Sequence, residues 1–326
     1  MTGVAPDQWP LIEAFRAAGA TGFHQLGVAG ARAAYEASCA RNGLPPRSVA
    51  LVSDLELEGS PSVAARLYQN SIGGDEPVVL FVHGGGWVMG SLETHDTLCR
   101  YIAAKSGSAV LAVDYRLAPE HVYPAALDDV RTAMKWIHTH GHAYGLDPER
   151  IVVVGDSAGG HLAADVAGED TSVKAQVLLY PVTSASTKTP SYDVIVDGFP
   201  LTAATMNWFL DLYTDGGAVI EKEVAVRDLT VEPRALPTYI CTVGNDPLAS
   251  GGIQFAKALA DAGAYVHEIH LPEHVHGLFT SAGAVPTGEV VLAEACAFVA
   301  AAVGSCVSVP AIVGSDGENV RKGMTA

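Results

Sequence analysis

Three residue types at separated positions define the chemistry open to this chain. They are a serine in a glycine-rich turn, an acid after a buried run, and a histidine followed by glycine. The serine is Ser157 in "RIVVVGDSAGGHLAA", where Gly155-Asp156-Ser157-Ala158-Gly159 is a G-x-S-x-G match between an apolar run and a helical pattern. Such a turn holds the hydroxyl exposed in a strained conformation, and the small residues around it let strand and helix approach. The backbone N–H of Ala158, at the helix start, would face a developing oxyanion. Taken by itself, the same turn could equally hold a phosphate or simply redirect the chain.

A second block narrows the choice. In "VVLFVHGGGWVMGS", His83-Gly84-Gly85-Gly86-Trp87 follows a strand expected near that of the nucleophile. Successive glycines expose their N–H groups without Cβ shielding, so two of them could donate to a carbonyl oxygen as it gains charge. Gly84 and Gly85 are the first choices and Gly86 the third.

A nucleophilic serine needs a base, and the base needs an acid to fix its tautomer. In a strand–elbow–helix context these follow the serine in the order acid, histidine. "TYICTVGNDPLASGG" supplies Asp246 directly after a buried run; Asp228 lies before that run and Asp261 in a helical stretch, and both read as surface carboxylates. The segment "AYVHEIHLPEHVHGLF" holds His267, His270, His274 and His276. Alternation puts His267 and His270 on opposite faces of a strand that Pro272 should end. His276, freed by Gly277, is the favoured base, with His274 as the alternative. No acid or cysteine completes a metal-ligand spacing with the four, so neither metal nor organic cofactor is expected.

These residues require a scaffold. "PVVLFVH", "AVLAVDY", "RIVVVGD", "AQVLLYP" and "TYICTVG" are short apolar runs suited to strands buried on both faces of a parallel sheet. Helical stretches such as "LDDVRTAMKWIHTHG" alternate with them, as in a doubly wound α/β fold. Before the sheet, "VSDLELEG" and "SVAARLYQ" alternate as a hairpin around "GSPS", and residues 1–50 read as a helical cap segment. Residues 51–303 form the expected catalytic domain, interrupted at 184–237 by an insertion that would contribute a lid near the carboxyl ends of the strands. Residues 304–326 lose periodicity and read as a flexible tail.

Composition limits the partners. The formal charge of −17, from 36 acidic and 19 basic side chains without a basic run, argues against nucleic acid. The first residues, "MTGVAPDQWPLIEAFRAAG", lack the basic start and apolar core of an export signal, and no apolar stretch reaches the roughly 18 to 20 residues of a membrane span, so a cytoplasmic protein is expected. Cys39, Cys99, Cys241, Cys296 and Cys306 are odd in number and scattered, which fits reduced thiols.

With "HGGGW" and "GDSAGG", the blocks "DYRLAPEHVYPAALDD", "GFPLTAATMNWFLDLY", "DPL" and "HGLF" stand in an order that resembles the hormone-sensitive-lipase-like group of α/β-hydrolases, from about residue 54 to 299. The resemblance implies an α/β-hydrolase fold, a mostly parallel central sheet flanked by helices, with Ser157 as nucleophile, His276 as base, Asp246 as orienting acid and the HGGG glycines with Ala158 as oxyanion hole. It implies a serine carboxylesterase acting on small-molecule esters, with short acyl chains favoured, and a possible homodimer. Deacetylase, amidase or lactone hydrolase activity would use the same residues, a dehydratase the same oxyanion site, and a ligand receptor the same fold without its base. Relatives tend to carry Phe where Leu278 stands, and an Arg-Asp-Glu stretch where "ASGG" follows "DPL". Arg116, Glu120 and Asp156 are expected as scaffold around the oxyanion loop; Phe23, Leu26, Trp87, Met206, Trp208 and Leu278 are candidates to line the pocket.

Overall fold

The computed structural model of the protein describes residues 3–218, 221–231 and 233–305. Its centre is a mixed eight-stranded sheet: β1 (Leu51–Leu57), β2 (Val63–Gln69), β3 (Glu76–Val82), β4 (Ala109–Val113), β5 (Leu146–Asp156), β6 (Val173–Leu179), β7 (Thr238–Asn245) and β8 (Val266–Val275). The spatial order is β1-β2-β4-β3-β5-β6-β7-β8. The expected hairpin pairs β1 with β2, and β2 runs antiparallel to β4, while every pair from β4 to β8 is parallel. The strand that precedes the glycine block is thus hydrogen-bonded to the strand that precedes Ser157.

The apolar runs are continuous because both sheet faces are covered. Val78, Leu80 and Val82 of β3 join a core with Leu127, Val130, Leu162, Phe255 and Leu259, from the helices Ala125–His140, Ala158–Glu169 and Ala249–Asp261. Their neighbours Val79 and Phe81 join a second core with Leu98, Ile102, Leu292 and Val299, from the helices Leu92–Ser106 and Pro286–Ala302. This is the period-2 alternation of a strand buried on both sides.

One expectation fails at the edge of the sheet. Pro272 does not end β8; pairing with β7 lapses between Leu271 and Val275, and the strand continues to Val275. β8 is an edge strand, where the N–H that proline lacks has no ladder to break.

The cap comes from two parts of the chain. The N-terminal helices Trp9–Ala17 and Phe23–Asn42 precede the sheet, and between β6 and β7 lie the short helix Pro190–Val194, the helix Ala203–Thr214 and the turn Lys222–Ala225. Thr202 caps the middle one, its hydroxyl accepting from the Thr205 N–H. The helix Phe23–Asn42 packs against Ala203–Thr214, joining both parts. The residues of the tail from 306 onward, and Cys306 with them, lie outside the described residues; the other four cysteines are unpaired and buried. Among the described residues no helix is long and apolar enough to cross a membrane.

Candidate active site

Four parallel strands deliver the chemistry-bearing residues at their carboxyl ends, where open α/β sheets bind ligands. Ser157 directly follows β5, Asp246 follows β7, His276 follows β8 and the glycine block follows β3. Ser157 sits at φ 54°, ψ −120°, and the helix Ala158–Glu169 starts at the next residue. A non-glycine residue at such a φ is held there by its surroundings. The Ser157 N–H donates to Leu179 O at 2.9 Å, while its carbonyl accepts from Val182 N and His161 N at 3.0 and 3.3 Å. The close approach also requires glycine: a Cβ on Gly159 would lie 2.1 Å from Val82 O.

Ser157 Oγ lies 3.0 Å from His276 Nε2, and His276 Nδ1 lies 2.7 Å from Asp246 Oδ2. Asp246 is fully buried, and its other oxygen accepts from Leu248 N at 2.8 Å. The carboxylate therefore has one oxygen fixed by backbone and the other directed at the imidazole. Tyr180 packs its ring 4.3 Å from that of His276, itself holding φ 39°. The rival acids are elsewhere: Asp228 accepts from Thr230 N, and Asp261 pairs with Lys257, both exposed. The other histidines are likewise engaged away from the serine. His267 reaches Glu294 at 2.7 Å and His270 reaches Thr242 Oγ1 at 2.8 Å from the opposite face of β8, while His274 lies 3.3 Å from Asp7. Among the described residues, no three His, Cys, Asp or Glu side chains converge as a metal site would need.

The glycine block differs from expectation at its first residue. Gly84 N donates to Asp156 Oδ1 at 2.8 Å, so this N–H is already committed and does not face the cleft. Gly85 and Gly86 line the cleft with Ser157, at φ 123° and 63°, conformations side chains disfavour. A Cβ on Gly86 would meet the Phe209 ring at 2.4 Å. Gly85 and Gly86, with Ala158 at the start of the helix, are thus left as the candidate donors to a substrate oxygen.

Asp156, beside Ser157, anchors this loop. His95 Nε2 approaches Asp156 Oδ1 at 3.2 Å, and His83 stacks between His95 and Tyr115, whose hydroxyl donates to His83 O at 2.8 Å. Burial alone would raise the Asp156 carboxyl, but the nearby His95, the Gly84 N–H and His83 outweigh it and hold the group below its ordinary value. Burial, reinforced by His95, pushes the His83 imidazole down to about 3, so it stays neutral.

The "YRLAPE" block is divided in its role. Arg116 chelates the buried Asp129, as a scaffold pair should. Glu120 is not buried; it forks with Arg32 of the cap helix, which also donates to Val88 O and Ala118 O and so ties the cap to the glycine loop.

The cleft encloses about 100 Å³. Of the six pocket candidates only Phe23 lines it. Trp87 is fully buried and stacks on Tyr213, Met206 packs into the first core, and Trp208 lies against that core beside Phe209. Leu278 lies in the core on the other sheet face, and Leu26 is 39% exposed. The lining comes from Tyr35, Ser38, Met89, Tyr180, Leu201, Phe209, Thr280 and Ser281, with Pro200 and Gly277. Gln8 is a further residue that local pattern did not reveal. It is buried and pairs both backbone groups of Val275, accepting from Val275 N at 2.7 Å and donating to Val275 O at 3.2 Å, next to His276.

Comparison with known proteins identifies relatives of this chain. The model of a family with the α/β-hydrolase fold matches residues 79–280. The carboxylic ester hydrolase LipN of Mycobacterium tuberculosis is 39% identical over 240 residues, 69% of this chain; the match spans 64% of LipN's length. An ethyl acetate hydrolase of Pseudomonas putida is 35% identical over 82% of this chain and 88% of its own. Among solved structures, a thermostable esterase from Pseudomonas putida ECU1011 superposes with a TM-score of 0.84 at 30% identity, covering 92% of this chain and 98% of that one. With a family match over most of the chain, relatives above 30% identity and a buried parallel sheet that ends in this cleft, the chain belongs to the hormone-sensitive-lipase-like group of carboxylic ester hydrolases in the α/β-hydrolase family.

Proposed function

We propose that the protein is a serine carboxylesterase that hydrolyses short- to medium-chain acyl esters through an acyl-enzyme. The observation that carries this reading is the unbroken line from Asp246 through His276 to Ser157, at 2.7 and 3.0 Å. Asp246 fixes the tautomer in which Nδ1 carries the proton and Nε2 is open to accept one. As Ser157 Oγ attacks the ester carbonyl carbon, its proton moves to Nε2 and an Oγ–C bond forms. The carbonyl oxygen becomes an oxyanion held by the N–H groups of Gly85, Gly86 and Ala158. Collapse breaks the bond from carbon to the alkoxy oxygen, which leaves with the proton from Nε2. Water then gives Nε2 a proton as it attacks the acyl-enzyme, and the acid departs as Ser157 regains its hydroxyl.

The small cleft and the Phe209 ring against Gly86 support a short acyl group. The test is hydrolysis of p-nitrophenyl esters from acetate to long acyl chains, by wild type and by Ser157→Ala and His276→Ala. Cleavage of short esters that both substitutions abolish sustains the reading. Ester cleavage that survives Ser157→Ala, or no cleavage by folded wild type, removes it.

A further inference from the structure

The two sides of the cleft differ in chemistry, and each belongs to one half of the reaction. On the oxyanion side stand Met89 and Phe209: a Cβ on Gly85 would meet Met89 O, and one on Gly86 the Phe209 ring. On the base side, the loop that follows His276 brings Thr280 and Ser281 to the cleft. Tyr35 and Ser38, one turn apart on the cap helix, join them. These two segments are fastened together, because Asn42 O at the end of the cap helix accepts from Gly283 N and Ala284 N at 3.0 and 3.1 Å. Ser38, Thr280 and Ser281 therefore lie with the Tyr180 ring on the base side, Met89 and Phe209 lie where the oxyanion forms, and Tyr35, packed on Phe23 and near His95, stands between them.

Their hydrogen-bonding capacity is only partly used within the protein. Ser38 Oγ accepts from Asn42 Nδ2 at 3.3 Å, which leaves its O–H to donate. Thr280 Oγ1 donates to Gly277 O at 3.1 Å and also hydrogen-bonds the Cys39 thiol, which leaves it one lone pair to accept. Burial holds the Tyr35 phenol far above its ordinary value, so it remains an O–H, and it hydrogen-bonds the Cys39 thiol. A donor on Ser38 and an acceptor on Thr280, lining one cleft, match a ligand hydroxyl, which both accepts and donates.

Which half of the ester meets this wall follows from the proton transfer. His276 Nε2 must reach the leaving oxygen, so the alcohol moiety departs along the base side while the acyl group stays with Ser157 beside Phe209. We infer that the substrate is an ester of a short apolar acid with a small polyhydroxylated alcohol, recognised through Ser38, Thr280, Ser281 and Tyr35. This rests on the esterase reading above and deepens it by giving each side of the cleft one half of the substrate.

The experiment compares kcat/KM for glycerol monoacetate and propyl acetate, which share an acyl group and differ in hydroxyls, by titrating released acid. Wild type should favour glycerol monoacetate about tenfold or more, as expected for two hydrogen bonds. The Ser38→Ala, Ser281→Ala double substitution should bring that ratio close to one. A wild-type ratio at or below one, or a ratio the double substitution leaves unmoved, overturns the inference while p-nitrophenyl acetate cleavage keeps the esterase reading intact. Failure of folded protein to release acid from any of the three esters overturns both.

Discussion

The sheet and the cap enclose one cleft, but they are built to different standards. Around β3 and β5 the side chains are almost entirely buried, and a Cβ added at Gly155 or Gly159 would run into backbone. In the insertion between β6 and β7, Val194, Val196, Val224 and Val231 are each more than half exposed. A Cβ at Gly216 there would touch nothing within 4 Å. The proposed triad stands on the tightly packed part, where errors of position cost the most. Apart from Tyr180, the loop after His276 and the glycine loop, the cleft is shaped by the cap, whose inner residues Leu201 and Phe209 are buried and whose outer residues are loosely packed.

The sharpest break of this contrast is Ser157→Ala, which removes the nucleophile and leaves the packing. Ester kcat should fall roughly 10⁶-fold, with thermal unfolding little changed. Retention of more than about a thousandth of the activity would place the chemistry on another residue. Next is Asp246→Asn. It preserves shape and the Leu248 contact but loses the acceptor that sets the imidazole tautomer, so kcat should drop on the order of 10⁴-fold with KM nearly constant. A fall confined to KM would mean that Asp246 serves binding instead.

Gly159→Ala tests the packing itself. Its Cβ would press on Val82 O and His83 O at 2.1 and 2.4 Å, backbone atoms that cannot yield without shifting the strand that carries the glycine loop. About 4 kcal/mol or more of stability should be lost in urea unfolding. A loss under 1 kcal/mol would show that the elbow has slack.

His83 gives the same region a pH signature. Its folded value is about 3 against the ordinary 6.5, so between these limits the unfolded chain binds the extra proton. Its contribution is complete above about pH 6.5 and declines as pH falls toward 3. Between pH 7 and 4.5 this amounts to about 2–3 kcal/mol. Asp156, also depressed, acts in the same direction but chiefly below its ordinary 3.8, so the two windows overlap only at their acid end. Urea unfolding of His83→Gln across this range should give a visibly flatter slope, whereas an unchanged slope would assign the acid sensitivity to other groups.

The contrast also explains what could be read in advance. Strand runs, the elbow, and the positions from which Asp246 and His276 reach Ser157 were legible because each is a local pattern at a strand end, where sequence neighbours are structural neighbours. The glycine loop was legible as a block but not in detail: whether the Gly84 N–H faces substrate depends on Asp156, 72 positions later. Pocket residues were the least legible. Trp87 and Met206 are large and apolar near the right motifs, yet the core claims them, while Ser38 and Thr280 carry no local mark of facing a ligand. Leu278 failed for a geometric reason: beyond Gly277 the chain turns it into the core on the far sheet face. Gln8 was hidden by its 267-residue separation from the strand end it completes.

The gentlest test belongs to the cap. Gly216 follows the helix Ala203–Thr214 at φ 63°, ψ 16°, in open space. Alanine there meets no atom, and the cost is confined to holding a Cβ in the left-handed region, about 1 kcal/mol. In a protein of this size that is a fall in Tm of about 2 °C, with ester turnover close to wild type because no reacting group depends on this turn. The measurement is thermal unfolding of Gly216→Ala beside Gly159→Ala under one set of conditions. If the two fall equally, the cap is packed as tightly as the sheet and its freedom to reshape the cleft is lost as an explanation. If Gly216→Ala costs a small fraction of Gly159→Ala, the protein tolerates strain where substrate is chosen and resists it where bonds are made.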